Sequence, residues 1–163
     1  MKIFVQCLAC YNDGKLNGEW FDLTDYSDAD TLQNAINEEI LHSGEDNHEE
    51  FAVHDYDGFP SMGEYPDLNE VFEVKELIEE HGDAFKEALD FMCGKVDDAK
   101  RFMEGYAGEY KSEKDFAEEM YDDLYSNQIP DYIYRYIDWN ALARDLFLGD
   151  YHFLNGHVFS QYY

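Results

Sequence analysis

The sequence predicts an α+β protein built from three small domains, and three observations lead to this fold class. Strand-like segments joined by glycine turns fill the N-terminal part, capped amphipathic helices fill the middle, and a hairpin pattern lies near the C-terminus. A chain of 163 residues is long enough for three such domains. Their predicted bounds are 1–66 for an α+β domain, 67–106 for a helical domain and 107–163 for a second α+β domain.

The first domain is predicted to open with two antiparallel strands. Apolar residues alternate well enough for a strand over 2–11, KIFVQCLACY. Asp-Gly and Asn-Gly turn signals follow within 12–18, so 19–23, EWFDL, is predicted to be the returning strand.

A helix and a third strand complete this domain. Asp28 or Asp30 can cap a helix over 31–42. The residues on its inward face are Leu32, Ala35, Ile36 and Ile40. A strand is predicted at 49–56, and the Gly- and Pro-rich loop at 57–67 marks the domain boundary.

The middle domain is predicted to be a small helical bundle. Asp67 caps a helix over 68–81, and a second helix covers 83–93; a glycine follows each of them. A short third helix is predicted at 97–104. Helices joined by such short connections pack antiparallel.

The helix predicted at 112–125, SEKDFAEEMYDDLY, has one face that repels itself. Ser112 and Asp115 form a capping-box pattern at its start. Its apolar stripe consists of Phe116, Ala117, Met120, Tyr121 and Leu124. The opposite face consists of Asp115, Glu118, Glu119, Asp122 and Asp123, and each like-charge pair at i,i+4 costs about 0.2–0.5 kcal/mol. A face with this cost indicates binding rather than folding.

The remainder of the third domain is predicted to contain one more helix and a hairpin. Asp138 can cap a helix that runs through Phe147. The segment 151–159 alternates around Asn155-Gly156, which is the strongest short hairpin signal.

Composition describes a folded polyanion. The chain has 38 Asp plus Glu against 11 Lys plus Arg, which gives a formal net charge of −27. With 45% hydrophobic and 17% aromatic residues it can bury a core, unlike a disordered acidic tail. Direct DNA binding needs a basic footprint and is therefore the least favoured function. A dimer of such chains approaches the linear charge density of duplex DNA, so carboxylates can stand where phosphates would stand.

The charge is unevenly spread. No Lys or Arg occurs between Leu16 and Val74, whereas 132–163 is nearly neutral and rich in aromatic residues. Halophilic adaptation is an alternative origin of acidity, but it should affect every surface. The acidic partner-binding surface is predicted to comprise Glu19, Asp22, Asp25, Glu38, Glu39, Glu45, Asp46, Glu49, Glu50, Glu70, Glu73, Asp115, Glu118, Glu119, Asp122 and Asp123. The aromatic end is predicted to form a homodimer.

Other candidate sites are weaker. Cys7 and Cys10 form a C-x-x-C inside the predicted strand, where residues i and i+3 point to opposite faces, so two small buried hydrophobes are favoured over a zinc site. His42, His48 and His54 lack the H-E-x-x-H spacing and are interpreted as part of a solvated acidic loop and the following strand. No phosphate-binding or nucleophile motif appears. The expectation is a protein without metal, cofactor or catalytic residues.

No apolar run approaches the length of a transmembrane helix, and the N-terminus is a poor signal peptide. Three cysteines, an odd number, do not suggest a disulfide framework. A cytoplasmic protein that does not contact membranes is expected.

Three blocks of the sequence resemble the ArdA-type antirestriction proteins. They are IFVQCLACYNDGKLNGEWFDL at 3–23, EEFAVHDYDGFP at 49–60 and YIDWNALARDLFLGDYHF at 136–153, of which the last is the most specific. The predicted dimer and motif region comprises Tyr134, Tyr136, Trp139, Arg144, Asp145, Leu146, Phe147, Gly149 and Asp150.

The resemblance implies a function. Proteins of this family are carried on mobile genetic elements and are elongated dimers of three small domains per chain. They occupy the DNA-binding groove of type I restriction–modification enzymes, formed by a methyltransferase core with its specificity subunit. They block restriction, and often modification. The resemblance thus implies an inhibitor in the host cytoplasm that is not an enzyme and does not bind nucleic acid itself.

Functions of other classes stay open from the residues alone. One is an acidic DNA mimic that regulates a nucleoid or repressor protein. Another is a weak Ca²⁺-binding module, although Asp55, Asp57 and Gly58 lack the EF-hand spacing. A third is a metal- or thiol-dependent enzyme that uses Cys7 and Cys10.

Overall fold

A computed structural model describes residues 1–41, 48–125 and 128–162. Within them the fold is mixed α/β and contains two small antiparallel sheets, which confirms the fold class in this coarser form. The chain divides into two compact units, Met1–Ala99 and Lys100–Tyr163. The division into three domains is not confirmed by this result and stays a prediction.

The first unit contains a sheet of three strands with the order β2-β1-β3. The strands are β1 (Lys2–Cys7), β2 (Gly18–Asp22) and β3 (Phe51–Asp57), and β1 pairs antiparallel with both neighbours. Ile3 and Val5 on the central strand are fully buried. They alternate with the more exposed Lys2 and Phe4, as the strand prediction expected, whereas Gln6 and Cys7 are both buried.

The predicted strand at 2–11 is too long. It ends at Cys7, and a short helix, α1 (Leu8–Asn12), follows. The Leu8 N–H bonds the Glu50 carbonyl at 3.0 Å and the Cys10 N–H bonds the Cys7 Sγ at 3.5 Å, so the chain turns there. A helix of five residues is too short for its periodicity to be distinguished from alternation.

The helix after β2 is α2 (Ala29–Glu39). Asp28, one of the two predicted caps, accepts from the Thr31 N–H at 2.8 Å, and Thr31 Oγ1 accepts from the Asp28 N–H at 3.2 Å. This reciprocal pair is a capping box. Leu32 and Ile36 are fully buried on the inward face, as predicted.

The three predicted middle helices are present as α3 (Leu68–His81), α4 (Asp83–Phe91) and α5 (Val96–Met103). Asp67 caps α3 by accepting from the Asn69 N–H at 2.8 Å. Beyond α4 the N–H groups of Cys93 and Gly94 bond the carbonyls of Asp90 and Leu89, a Schellman ending with Cys93 at a φ of +54°. The α3 and α4 helices lie in the same compact unit as the first sheet.

The second unit has a sheet with the order β4-β6-β5, formed by β4 (Tyr106–Glu109), β5 (Tyr151–Leu154) and β6 (His157–Ser160). The β5–β6 hairpin turns at Asn155 and Gly156, both with positive φ, as the Asn-Gly pair predicted. No strand was predicted at β4. That segment contains Gly108, and its pairing with β6 shifts register between Tyr106 and Gly108, so it shows little alternation.

Three helices complete this unit: α6 (Glu113–Tyr125), α7 (Asp131–Tyr134) and α8 (Trp139–Phe147). Asp138 caps α8 by accepting from the Ala141 N–H at 3.1 Å, as predicted. The core is aromatic: Phe159 and Phe102 stack with ring centroids 4.6 Å apart. A second group of rings in this core joins Phe116 to Tyr151 at 4.7 Å.

Two glycines provide a test of backbone packing in the first unit. Gly94 has a φ of +78°, and a Cβ there would lie 2.6 Å from the Ser61 carbonyl oxygen. Gly82 has a φ of +64° but no heavy atom within 4 Å of such a Cβ. Both alanine variants should lose roughly 1–3 kcal/mol through backbone strain. Gly94→Ala should lose more because the Ser61 carbonyl must also move.

Thermal unfolding measures the difference. Each further 1 kcal/mol lowers the Tm of a chain of this size by roughly 2–4 °C. Gly94→Ala should therefore melt clearly below Gly82→Ala. Equal melting temperatures for the two variants would contradict the close approach to Ser61.

Candidate partner-binding surface

The self-repelling helix forms where it was predicted. The Asp115 N–H bonds the Ser112 Oγ at 3.1 Å, and that hydroxyl donates to the Asp115 carboxylate at 2.9 Å. The first turn is therefore fixed by a side chain that lies outside the helix. Phe116 and Ala117 are buried and anchor α6 to its unit.

The acidic face of α6 remains at the surface. Glu119, Asp122 and Asp123 are exposed, while Asp115 and Glu118 are half-buried. The Lys114 Nζ lies 3.2 Å from the Glu118 carboxylate. Because Lys114 is itself partly exposed, this ion pair contributes at most about 1 kcal/mol. This pair therefore offsets only part of the negative charge of the face.

Two tyrosine hydroxyls flank this acidic face. The Tyr110 hydroxyl donates to the Glu119 carboxylate at 3.5 Å. Burial first, and then a hydrogen bond with Asp122, raise the pKa of Tyr134 above its ordinary value. The neutral donors orient carboxylates without cancelling their charge. The sequence did not reveal these contacts, because Tyr110 and Tyr134 lie outside α6.

A second acidic cluster surrounds Tyr26 in the first unit. Burial is the largest cause that raises the pKa of Tyr26, and the charge of Glu39 is the next. The charges of Asp25 and Glu19 raise the same pKa further. Three carboxylates from different parts of the chain thus act on the same tyrosine, and all three are exposed.

The other predicted acids have varied surroundings. Asp22 is half-buried, accepts from the Thr24 N–H and hydroxyl, and lies 3.6 Å from the Lys2 Nζ. The Thr24 hydrogen bonds lower the pKa of Asp22, which is the last residue of β2. Glu73 is half-buried. Exposed members are Glu38, Glu49, Glu50 and Glu70. Glu45 and Asp46 lie outside the described residues, as does His42.

The predicted dimer and motif region separates into internal and exposed residues. Trp139 is buried against Tyr134, with ring centroids 5.1 Å apart. Phe147 is half-buried and packs on Phe116 at 5.7 Å. Leu146 is also half-buried, whereas the exposed members are Tyr136, Arg144, Asp145, Gly149 and Asp150. Arg144 and Asp145 pair with each other at 3.3 Å.

The end of the apolar stripe on α6 was predicted wrongly. Leu124 is 58% exposed rather than inward-facing, and Tyr125 beside it is also exposed. Further apolar surface is exposed in the segment after α6, at Tyr132, Ile133 and Tyr136. The amphipathic period gave the correct face for Phe116 to Tyr121, but the last turn of α6 extends past the core that covers it.

One group of side chains in the described residues could hold a metal ion. The Cys7 Sγ lies 3.2 Å from the Nδ1 of His48, and the Cys10 Sγ lies 3.6 Å from the same atom. The prediction that Cys7 and Cys10 point to opposite faces is wrong, because β1 ends at Cys7 and Cys10 lies in α1. Burial, and then the neighbouring Cys7 thiol, raise the pKa of Cys10 above its ordinary value.

The pKa of Tyr134 tests the geometry of the acidic face. Replacing Asp122→Asn removes a charge and weakens a hydrogen bond, so the pKa of Tyr134 should fall toward its ordinary value. The pKa of Tyr26, which is raised by other acids, should not change. NMR titration of ring-labelled tyrosine measures both values. A Tyr134 pKa that is the same in the variant and the wild type would contradict the contact.

The same shift makes stability depend on pH. The pKa of Tyr134 is higher in the folded protein than the value of about 10 in an unfolded chain. The stability that this raised pKa contributes is therefore complete below about pH 10 and is lost as pH rises through the folded value.

Within the described residues, none of the helices has the length and apolar character needed to cross a membrane. No curated protein sequence matches the chain. A family model described as antirestriction protein (ArdA) matches residues 3–160.

Proposed function

The chain belongs to the ArdA family of antirestriction proteins, and on that premise we propose that it inhibits type I restriction–modification enzymes as an acidic mimic of DNA. It occupies the DNA-binding groove formed by the methyltransferase core and the specificity subunit, and so protects incoming mobile-element DNA in the host cytoplasm. Restriction is blocked, and modification with it. The protein acts by binding in stoichiometric amounts, without catalysis or a cofactor.

The observation that carries this proposal is the exposed, self-repelling face of α6. Its i,i+4 carboxylates oppose helix formation, and one Lys offsets them only in part. A face that is unfavourable for folding but is held at the surface by a capped helix suits a partner rich in positive charge. The groove of an enzyme that binds DNA has that property.

The chemistry explains why such an inhibitor acts on enzymes with different recognition sequences. Phosphate contacts dominate the affinity of proteins for DNA and carry no sequence information. Carboxylates that replace phosphates therefore compete with any DNA sequence. Bending a DNA site costs of order 1–6 kcal/mol. The carboxylates of a folded protein are already held in place by their own elements, so they avoid this cost.

The charge of α6 should act collectively in binding. A quadruple variant that replaces Glu118 and Glu119 by Gln, and Asp122 and Asp123 by Asn, should bind a type I methyltransferase core more weakly. At about 0.5 kcal/mol per contact the loss is about 2 kcal/mol, or roughly thirtyfold. Asp122→Asn alone should have little effect. Competition against a labelled duplex, repeated across salt concentrations, measures both variants.

A matched control separates position from total charge. It neutralises four exposed acids that lie outside the predicted surface: Glu76, Glu79, Glu80 and Asp90. The control should bind more tightly than the α6 variant. If the α6 variant binds as tightly as wild type at every salt concentration, that helix does not contact the enzyme. A parallel titration with a histone-like nucleoid protein distinguishes a restriction inhibitor from a regulator of such proteins.

We also propose that the protein is a homodimer through the second unit. The support is the apolar surface of Tyr132, Ile133, Tyr136 and Leu148, all of which are exposed. Phe147 is a poor probe because it packs against the rings of Phe116 and Phe153. Tyr136 is 80% exposed and is the better choice.

An aspartate at Tyr136 should weaken the dimer. A buried unpaired charge is costly, so Tyr136→Asp should raise the dissociation constant at least about tenfold. Tyr65→Asp is the matched control, because Tyr65 is also a largely exposed tyrosine but lies in the first unit. Sedimentation velocity measures both. The proposal is overturned by a wild type that stays monomeric at micromolar concentration.

A further inference from the structure

Three potential metal ligands meet where β1 passes into α1. The Sγ atoms of Cys7 and Cys10 and the Nδ1 of His48 all lie within 4.8 Å of one another. His48 is 41 residues from Cys7 in the sequence, so the fold and not the local chain brings it there. Cys7 is fully buried and Cys10 is nearly so. The three potential ligand atoms therefore meet at a largely buried point of the first unit.

The distances suit tetrahedral coordination. Zn–S bonds of about 2.3 Å and Zn–N bonds of about 2.0–2.1 Å place a tetrahedral S···N pair about 3.6 Å apart. The two S···N distances here are 3.2 and 3.6 Å. Both S···N distances therefore lie within a few tenths of an ångström of the value for tetrahedral coordination.

Hydrogen bonding to the His48 imidazole nitrogen can occupy only one of the two thiols at a time. The Nδ1 of a neutral imidazole has one lone pair and can accept one S–H. Two sulfur atoms approach that nitrogen within 3.6 Å. A metal ion satisfies all three groups at once, since each supplies one lone pair to it.

The surrounding backbone holds the ligands in place. The Leu8 N–H bonds the Glu50 carbonyl at 3.0 Å, and Cys7 lies opposite Phe51 in the β1–β3 ladder. These contacts fix the segment of His48 against the turn that carries both cysteines. The Cys10 N–H bonds the Cys7 Sγ at 3.5 Å, which holds both cysteines in one turn.

We propose that Cys7, Cys10 and His48 bind a zinc-type divalent cation, with water as the fourth ligand. The two thiol protons pass to solvent as the ion binds, and no electron transfer is involved. Sulfur ligands select zinc over Mg²⁺ and Ca²⁺, which the many surface carboxylates attract instead. The ion would tie the segment before β3 to the end of β1, and the site is independent of the inhibitory function proposed above.

Cobalt(II) is a direct probe of this site. The full-length protein is reduced with a phosphine, freed of metal by chelation and titrated with Co²⁺ in excess Mg²⁺, which occupies the carboxylates. Binding should give thiolate-to-cobalt charge-transfer absorption and the visible bands of tetrahedral cobalt, saturating at one ion per chain. Zn²⁺ should then displace the cobalt and raise the Tm of the protein. A reduced wild type without thiolate–cobalt absorption overturns the proposal.

Matched variants identify the ligands. Cys7→Ser and Cys10→Ser should each reduce the charge-transfer absorption, and His48→Gln should weaken binding. Loss of a residue that only hydrogen-bonds a metal ligand lowers metal affinity about 10–100-fold, so loss of a ligand itself should lower it at least as much. Cys93→Ser and His54→Gln, at exposed positions, should bind like wild type.

Circular dichroism of each metal-free variant separates loss of binding from loss of fold. If a variant does not fold, the wild-type stoichiometry and the Cys93→Ser control still decide the matter. Absorption of undiminished intensity in the folded Cys10→Ser variant, or its disappearance in Cys93→Ser, would assign the metal to other groups.

Discussion

Repulsion among 38 carboxylates is the constraint on which the rest of this structure depends. A formal charge of −27 on 163 residues opposes compaction. The apolar contacts within each unit must outweigh that repulsion. In the first unit the central strand β1 does so with fully buried Ile3 and Val5, and in the second unit stacked rings such as Phe102 and Phe159 serve the same purpose. The high aromatic content follows from this, because each ring buries a large apolar area in a small core.

The sequence predicted well the elements whose signals are local. Asn155-Gly156 fixes a hairpin through its own backbone preference, and Asp67 and Asp138 cap helices through bonds to the next turn. The predictions were wrong where tertiary contacts decide the outcome. The Leu8–Asn12 helix depends on a bond to the distant Glu50, and β4 depends on β6. Leu124 had the correct period but no core above it to cover it.

The candidate sites show the same division. Composition and helical spacing indicated an acidic surface and the face of α6 that carries it. They could not show that Glu19, Asp25 and Glu39 gather around one tyrosine, because those acids lie on different elements. Nor could they place His48 beside the two cysteines. The argument against a metal there assumed a continuous strand, and it no longer holds once β1 ends at Cys7.

The acids of α6 have neutral tyrosine hydroxyls as well as a Lys among their neighbours, and the two kinds of neighbour affect the surface charge differently. A Lys or Arg beside each acid would relieve repulsion but would also cancel the charge on which the proposed mimicry of DNA rests. Tyr110 instead donates a neutral hydroxyl to Glu119, and Asp122 is one of the groups that raise the pKa of Tyr134, after burial. Burial first, and then the neighbouring carboxylates, raise the pKa of both tyrosines, so each hydroxyl keeps its proton. A neutral hydroxyl can thereby order a carboxylate such as that of Glu119 without adding a positive charge beside it.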